Sequence, residues 1–158
     1  MPMGDRMQDL ELDNQLCFAM YDASRAVVRA YGPLLAGLGL TYPQYITMLV
    51  LWEADGPVSV GDLGARLHLD SGTLSPLIKR LEHVDLVNRR RDPDDDRRVL
   101  ISLTTKGSEL RTRACDVPAR IADRFGLDAA AAMKLRDDLT NVVRILEAHA
   151  ETSSHNGS

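Results

Sequence analysis

The chain has 158 residues and a net charge of −4, room for one domain with a core plus a helical appendage. That charge argues against a general polyanion binder and leaves open only a local basic surface, while 11 Gly and 7 Pro are too few for a fibrous or disordered chain. Asp5, Asp9, Glu11 and Asp13 speak against a secretory signal, and no apolar run approaches the ~20 residues of a bilayer span, so a cytoplasmic, membrane-free protein is expected.

In chain order, residues 1–12 read as loosely ordered. A long helix is expected from Asp13 to about Leu35, with apolar residues at Leu16, Met20, Ala23, Val27, Ala30 and Leu34, ended by Gly37 and Gly39. Thr41 stands three residues before Gln44, the spacing of a capping box, and opens a helix to about Ala54. Asp55-Gly56-Pro57 is a turn. Val58-Ser59-Val60 is short enough to be one strand of a small sheet, and Ser59 is placed to cap the amphipathic helix Asp62–His68.

After the break Leu69-Asp70-Ser71-Gly72, a second helix begins near Gly72, with Asp70 or Ser71 as its cap. Pro76 falls about one turn in, where only first-turn amides are expected to be lost. Val87–Arg91, the acidic loop Asp92-Pro93-Asp94-Asp95-Asp96 and Arg97–Leu103 then form a hairpin, with Val99, Ile101 and Leu103 on its half-buried face. Thr104 caps a helix to about Phe125, kinked by Pro118. Gly126 and Asp128 mark a break before a last helix, Ala129 to about His149, and the polar tail Glu151–Ser158 is expected to fray.

Helix, turn, helix and basic hairpin in this order read as a winged helix, so the fold class is mainly α with a small β-wing. Such a unit offers one helix to a major groove and a hairpin to the flanking minor groove of double-stranded DNA. Asp70 and Ser71 at the helix start, with Thr73, Ser75, Lys79 and Arg80 along it, make up the expected DNA-facing set. Arg89, Arg91, Asp95 and Arg97 complete it from the hairpin, where Arg89, Arg90, Arg91, Arg97 and Arg98 fall within ten residues. Residues 41–103 would be this reading domain. The helical blocks 1–40 and 104–158 carry more apolar stripe than a ~60-residue winged helix can cover. They are therefore expected to pack against a second copy, giving a homodimer suited to a palindromic operator. In that compartment Cys17 and Cys115 should be reduced thiols rather than a disulfide. His68, His83, His149 and His155 show no ligand spacing with cysteine, so neither metal nor cofactor is expected.

Four blocks carry a resemblance. Leu16-Cys17-Phe18-Ala19-Met20-Tyr21, Leu40-Thr41-Tyr42-Pro43-Gln44-Tyr45, Asp70–Leu77 and Arg91–Arg97 resemble the multiple-antibiotic-resistance regulator (MarR) family, and more narrowly its organic-hydroperoxide (OhrR) branch. The similarity runs from about Asp13 to Pro118. It implies a repressor and not an enzyme. It also implies a wing-tip pair, Asp95 and Arg97, in which the aspartate orients an arginine bound for the minor groove. The resemblance further implies that Cys17 senses organic hydroperoxide, as a thiolate held by the phenols of Tyr31 and Tyr42, with Tyr21 nearby. Tyr31 follows Cys17 by fourteen residues, about 21 Å along one helix, so the two can meet only across a dimer. Oxidation to sulfenic acid, then condensation with a second thiol, would release the operator. Cys115 or a small cellular thiol could be that second partner. The rival within the fold is a repressor released by a non-covalent phenolic or anionic ligand. Thiol peroxidase chemistry is disfavoured by the absence of Cys-x-x-Cys, and a DNA-architectural role by the negative charge.

Overall fold

The computed structural model describes residues 10–155, with side chains for residues 10–150. The expectations for residues 1–9 and 156–158 lie outside it. A single 3-10 turn, Leu12–Asn14, precedes helix α1, Leu16–Ala36. The helix thus starts at Leu16 and not at Asp13, because Gln15 is extended (φ −87°, ψ 108°). The Gln15 side chain donates back to the Glu11 carbonyl at 3.2 Å instead of joining the helix. Helix α1 runs through Pro33 without stopping.

Helix α2, Tyr42–Glu53, opens on a complete capping box. The Thr41 amide donates to Gln44 Oε1 at 2.8 Å, and the Gln44 amide to Thr41 Oγ1 at 3.5 Å. Strand β1, Val58–Ser59, leads into helix α3, Val60–Leu67. Ser59 caps α3 as expected, accepting the Asp62 amide at 3.1 Å. Helix α4 covers Ser71–His83 with Asp70 as its cap, so Ser71 lies inside the helix. Pro76 is its sixth residue, past the four amides that any helix leaves unbonded. It therefore deprives the Gly72 carbonyl of a partner, a larger loss than the sequence suggested.

Strands β2 (Val87–Arg91) and β3 (Val99–Leu103) form the hairpin. The sheet order is β1-β3-β2, antiparallel throughout, with Ile101 opposite both Val58 and Arg89. Only Ile101 of β3 is fully buried. Leu100 and Ser102 are half-buried like Val99 and Leu103, so the alternation is weaker than the residue types imply. Helix α5, Thr105–Ala114, is capped by Thr104. Helix α6 is Val117–Phe125. The expected single kinked helix is thus two, broken at Cys115-Asp116. A proline disfavours helical geometry in the residue before it and has no amide to extend a helix. Pro118 instead takes the second position of α6, where its missing amide costs little. The last helix, α7, spans Ala129–His155. It does not end near His149, and the tail is helical over 151–155. Its start is set by Asp128, whose carboxylate accepts the Ala131 amide at 2.8 Å.

The chain divides into two compact units, one running to Ile121 and one from Ala122. The core of the first unit joins Leu35 of α1, Tyr45, Met48, Leu51 and Trp52 of α2, and Leu63 of α3. From α4 and the sheet it takes Leu74, Leu77, Ile78, Leu81, Val87 and Ile101, and from α5 Leu110 and Ala114. Trp52 donates its indole N–H to the Gly107 carbonyl at 2.9 Å in the interior. Gly107 is a site of close approach: a Cβ there would stand 2.0 Å from the Leu86 carbonyl oxygen. In the described residues no helix is long and apolar enough to cross a membrane.

Candidate nucleic-acid interface and thiol site

The α3–turn–α4 pair is held from both sides. Leu74, Leu77, Ile78 and Leu81 anchor α4 in the core, which leaves Ser71, Thr73, Ser75, Lys79 and Arg80 exposed. His68, in the left-handed region (φ 53°), ends α3 and turns the chain toward α4. Asp70 fixes the start of α4: Oδ1 accepts the Thr73 amide at 2.8 Å and Oδ2 accepts the Thr73 hydroxyl at 3.2 Å. These two bonds hold the Asp70 carboxyl below its usual pKa, so it is an anion and a pure acceptor at neutral pH.

Six of the ten expected DNA-facing residues line two separate clefts. Ser71, Ser75, Arg89 and Arg97 line an open cleft of about 770 Å³ between α3, α4 and the wing. Lys79 and Arg80 border another cleft, of about 690 Å³, with Pro76, His83 and the α1–α2 turn. In the wing, Arg97 has 95% of its side chain exposed, with Nε 3.7 Å from Asp95 Oδ1. The same carboxylate accepts the Arg97 amide at 3.0 Å. Asp95 therefore holds both backbone and guanidinium of the wing-tip arginine. Arg91 donates to the Asp96 carbonyl at 2.7 Å and braces the loop. Arg89 lies 3.6 Å from Glu82 of α4 and ties wing to helix.

Three contributors were not assigned roles from sequence. Arg98 lies 3.5 Å from Asp62 at the start of α3 and 3.6 Å from the buried carboxylate of Asp92. It thereby joins the wing base to the helix pair, and the only prior sign was an arginine beside the wing-tip arginine. Asp92 also accepts the Asp94 amide at 3.0 Å, shaping the acidic loop. Tyr45 is the third, one helical turn after Tyr42.

Cys17 is exposed in the first turn of α1. Tyr31 lies on the same unbroken helix, so about 21 Å of axis separates them. Tyr31 instead packs on Tyr42, with ring centroids 4.7 Å apart, and on Tyr45 at 5.7 Å. Burial, then the neighbouring Tyr42 and Tyr45 phenols, pushes the Tyr31 pKa up to about 12. Burial likewise raises Tyr42 and Tyr45. All three are neutral O–H groups at physiological pH, able to donate. Tyr21 is exposed beside Cys17 on α1, under the Arg25 guanidinium, which sits 5.4 Å from its ring. Cys115 is exposed at the end of α5. It lines a shallow cleft of about 270 Å³ with Tyr45, Leu49, Trp52, Arg111 and Pro118. The structure thus brings Tyr31 and Tyr42 together and leaves Cys17 apart from them within one chain. No cluster of three or more His, Cys, Asp or Glu suited to a metal occurs among the described residues.

A family model described as transcriptional regulator SarA/Rot matches residues 29–113. The organic hydroperoxide resistance transcriptional regulator of Bacillus subtilis is 41% identical over 145 residues, covering 92% of this chain and 96% of that protein. The HTH-type transcriptional regulator TtmR of Methylorubrum extorquens is 48% identical over 139 residues, covering 88% of this chain and 71% of that protein. Among solved structures, reduced AbfR bound to DNA superposes with a TM-score of 0.73 at 32% identity, covering 89% of this chain and 98% of that one. AbfR is a protein of Staphylococcus epidermidis.

Proposed function

Because the chain belongs to the MarR family of winged-helix transcriptional regulators, in its organic-hydroperoxide (OhrR) branch, we propose that it is a homodimeric DNA-binding repressor switched by oxidation of Cys17. Residues 41–103 form the reading head. Residues 1–40 and 104–158 form the dimerisation region. The head lays α4 in a major groove and the wing in the adjacent minor groove, where Arg97 enters and Asp95 sets its angle. A narrow A·T-rich minor groove concentrates negative potential and favours an inserted arginine. Arg89 and Arg91 hold the wing against the phosphates.

The observation that carries the switch is the position of Cys17 on an uncovered face of α1 where Tyr21 and Val28 are also exposed. In water that face costs free energy in proportion to its area, and a second copy running antiparallel would cover it. The partner's Tyr31, on α1, and the partner's Tyr42, at the start of α2, would then come to Cys17, as one chain alone cannot bring them. A thiolate there receives hydrogen bonds from the neutral O–H groups of Tyr31 and Tyr42.

The chemistry then follows. The Cys17 thiolate attacks the terminal oxygen of the hydroperoxide, the O–O bond breaks, the sulfur becomes sulfenic acid, and the departing alkoxide takes a proton from solvent and leaves as the alcohol. The sulfur is no longer the anion those phenols were placed to bind. A second thiol, Cys115 of the partner or a small cellular thiol, displaces water from the sulfenic acid and forms a disulfide. A disulfide to Cys115 holds two Cα atoms within about 7 Å, and one to a small thiol adds a bulky group at Cys17; by either route the dimer repacks and the two heads leave operator spacing.

The test is a mobility shift on the DNA upstream of the chain's own gene, with and without cumene hydroperoxide. Wild type should release, and Cys17→Ser should stay bound. Release of both proteins alike would favour a repressor answering a non-covalent phenolic or anionic ligand. Non-reducing gels of Cys115→Ser separate the two disulfide routes: a cross-linked dimer that vanishes in the variant assigns the second thiol to Cys115.

A further inference from the structure

We propose that Thr73 reads DNA as a hydrogen-bond acceptor only, selecting an exocyclic amino group, adenine N6 or cytosine N4, in the major groove, because its own hydroxyl proton is donated to Asp70. The inference rests on the reading of α4 as the recognition helix and specifies what one of its residues asks of the operator.

A threonine hydroxyl carries one O–H and two lone pairs, and in solution it turns to suit either a donor or an acceptor. Thr73 has lost that freedom. Its amide donates to Asp70 Oδ1 at 2.8 Å and its hydroxyl donates to Asp70 Oδ2 at 3.2 Å. Both bonds run to one carboxylate that is itself fixed as the helix cap. With the proton directed at Asp70, only lone pairs of Thr73 Oγ1 face outward. Thr73 is exposed in the first turn of α4, the part of a recognition helix that touches base edges. Asp70 has no proton to give at neutral pH, so the Asp70–Thr73 pair presents acceptors alone. The capped amide also leaves this end less suited to a phosphate than an open helix N-terminus.

In the major groove, guanine N7 and O6, adenine N7 and thymine O4 are acceptors. The donors are adenine N6 and cytosine N4. Each base pair carries one such amino group, on one strand or the other. An acceptor-only threonine therefore tells adenine or cytosine from guanine or thymine on the strand it faces.

The experiment measures equilibrium binding of the full-length dimer to its operator, scanned one base pair at a time. It also uses duplexes in which purine replaces adenine, or 4-deaminated pyrimidinone replaces cytosine, so that only the amino group is removed. Wild type should lose about tenfold in affinity at one symmetric position per half-site when that group is deleted. Thr73→Val should bind the intact and amino-deleted duplexes alike. Asp70→Asn keeps a capping oxygen but can donate its amide N–H to Thr73 Oγ1, which turns the hydroxyl proton outward. Its preference at the same position should move to guanine or thymine. An Asp70→Asn profile identical in shape to wild type, or a wild type that binds its operator specifically yet ignores every amino deletion, would overturn the inference and leave the recognition-helix reading standing. A wild type with no operator preference at all would overturn both.

Discussion

At the residue scale, the wing-tip pair and the tyrosine cluster carry the sharpest expectations. Arg97 is almost wholly solvent-facing, with its backbone and guanidinium both held by Asp95. Arg66, by contrast, is spent on Glu53 at 3.0 Å on the outer face of α3. Arg97→Ala should weaken operator binding about tenfold or more, while Arg66→Ala should change it less than about threefold. Anisotropy titrations at one salt concentration would show it, and equal losses would contradict the wing assignment. The tyrosines give a pH prediction. Folding raises the Tyr31 pKa from 10.0 to about 12, so between those values the folded state holds a proton that the unfolded state has released. Stability from this group is complete below pH 10 and is lost as the pH rises toward 12. Urea denaturation across that range should show a smaller alkaline loss in Tyr31→Phe than in wild type. The pairing of Asp95 with Arg97 was legible in the sequence because both lie in one short local motif. The Arg98 bridge to Asp62 was not, since nothing local marks two residues that meet only when the hairpin folds back on α3.

At the element scale, local signals were read well and contextual ones poorly. Thr41 with Gln44, Ser59 and Thr104 each cap the helix they were expected to cap, because a cap is settled within three residues. At Cys115-Asp116 the sequence points to a kink and the structure has a break. A proline disfavours helix before it without saying whether or where the chain will part: two helices run through Pro33 and Pro76, whereas ahead of Pro118 helix α5 ends with Ala114 buried in the core. The junction of α5 with the loop before β2 is tightly constrained. Thr104 Oγ1 donates to the Asp85 carbonyl at 2.7 Å and accepts the Gly107 amide at 2.9 Å. Gly107 also offers its carbonyl to Trp52. A methyl group at Gly107 meets the Leu86 backbone, which has no flexible end to move aside. Gly107→Ala should therefore cost about 3 kcal/mol, combining overpacking with strain on a buried hydrogen bond. Chemical denaturation measures it, and a variant as stable as wild type would mean this junction is looser than described.

At the scale of the whole molecule, one chain accounts for only part of its own apolar surface. Helix α1 buries Leu34 and Leu35 and leaves Leu16, Tyr21 and Val28 exposed. Helix α7 exposes Met133, Leu135, Leu139, Val143, Ile145 and Leu146. These exposed apolar side chains are the surface that the proposed dimer would cover, and the sequence already carries them as apolar spacing beyond what a winged helix can use. Which residues of the partner meet Cys17 is a property of the assembly and has no signature along one chain. Complementation tests it most directly. A heterodimer is prepared with Cys17→Ser in one subunit and Tyr31→Phe in the other, and the rate at which cumene hydroperoxide converts its single Cys17 to sulfenic acid is compared with both homodimers. A sensing site built across the dimer leaves that Cys17 beside the intact Tyr31 of the partner subunit. The account predicts the wild-type rate in the heterodimer and a slower one in the Tyr31→Phe homodimer. A heterodimer as slow as the Tyr31→Phe homodimer, or a Tyr31→Phe homodimer as fast as wild type, would contradict it.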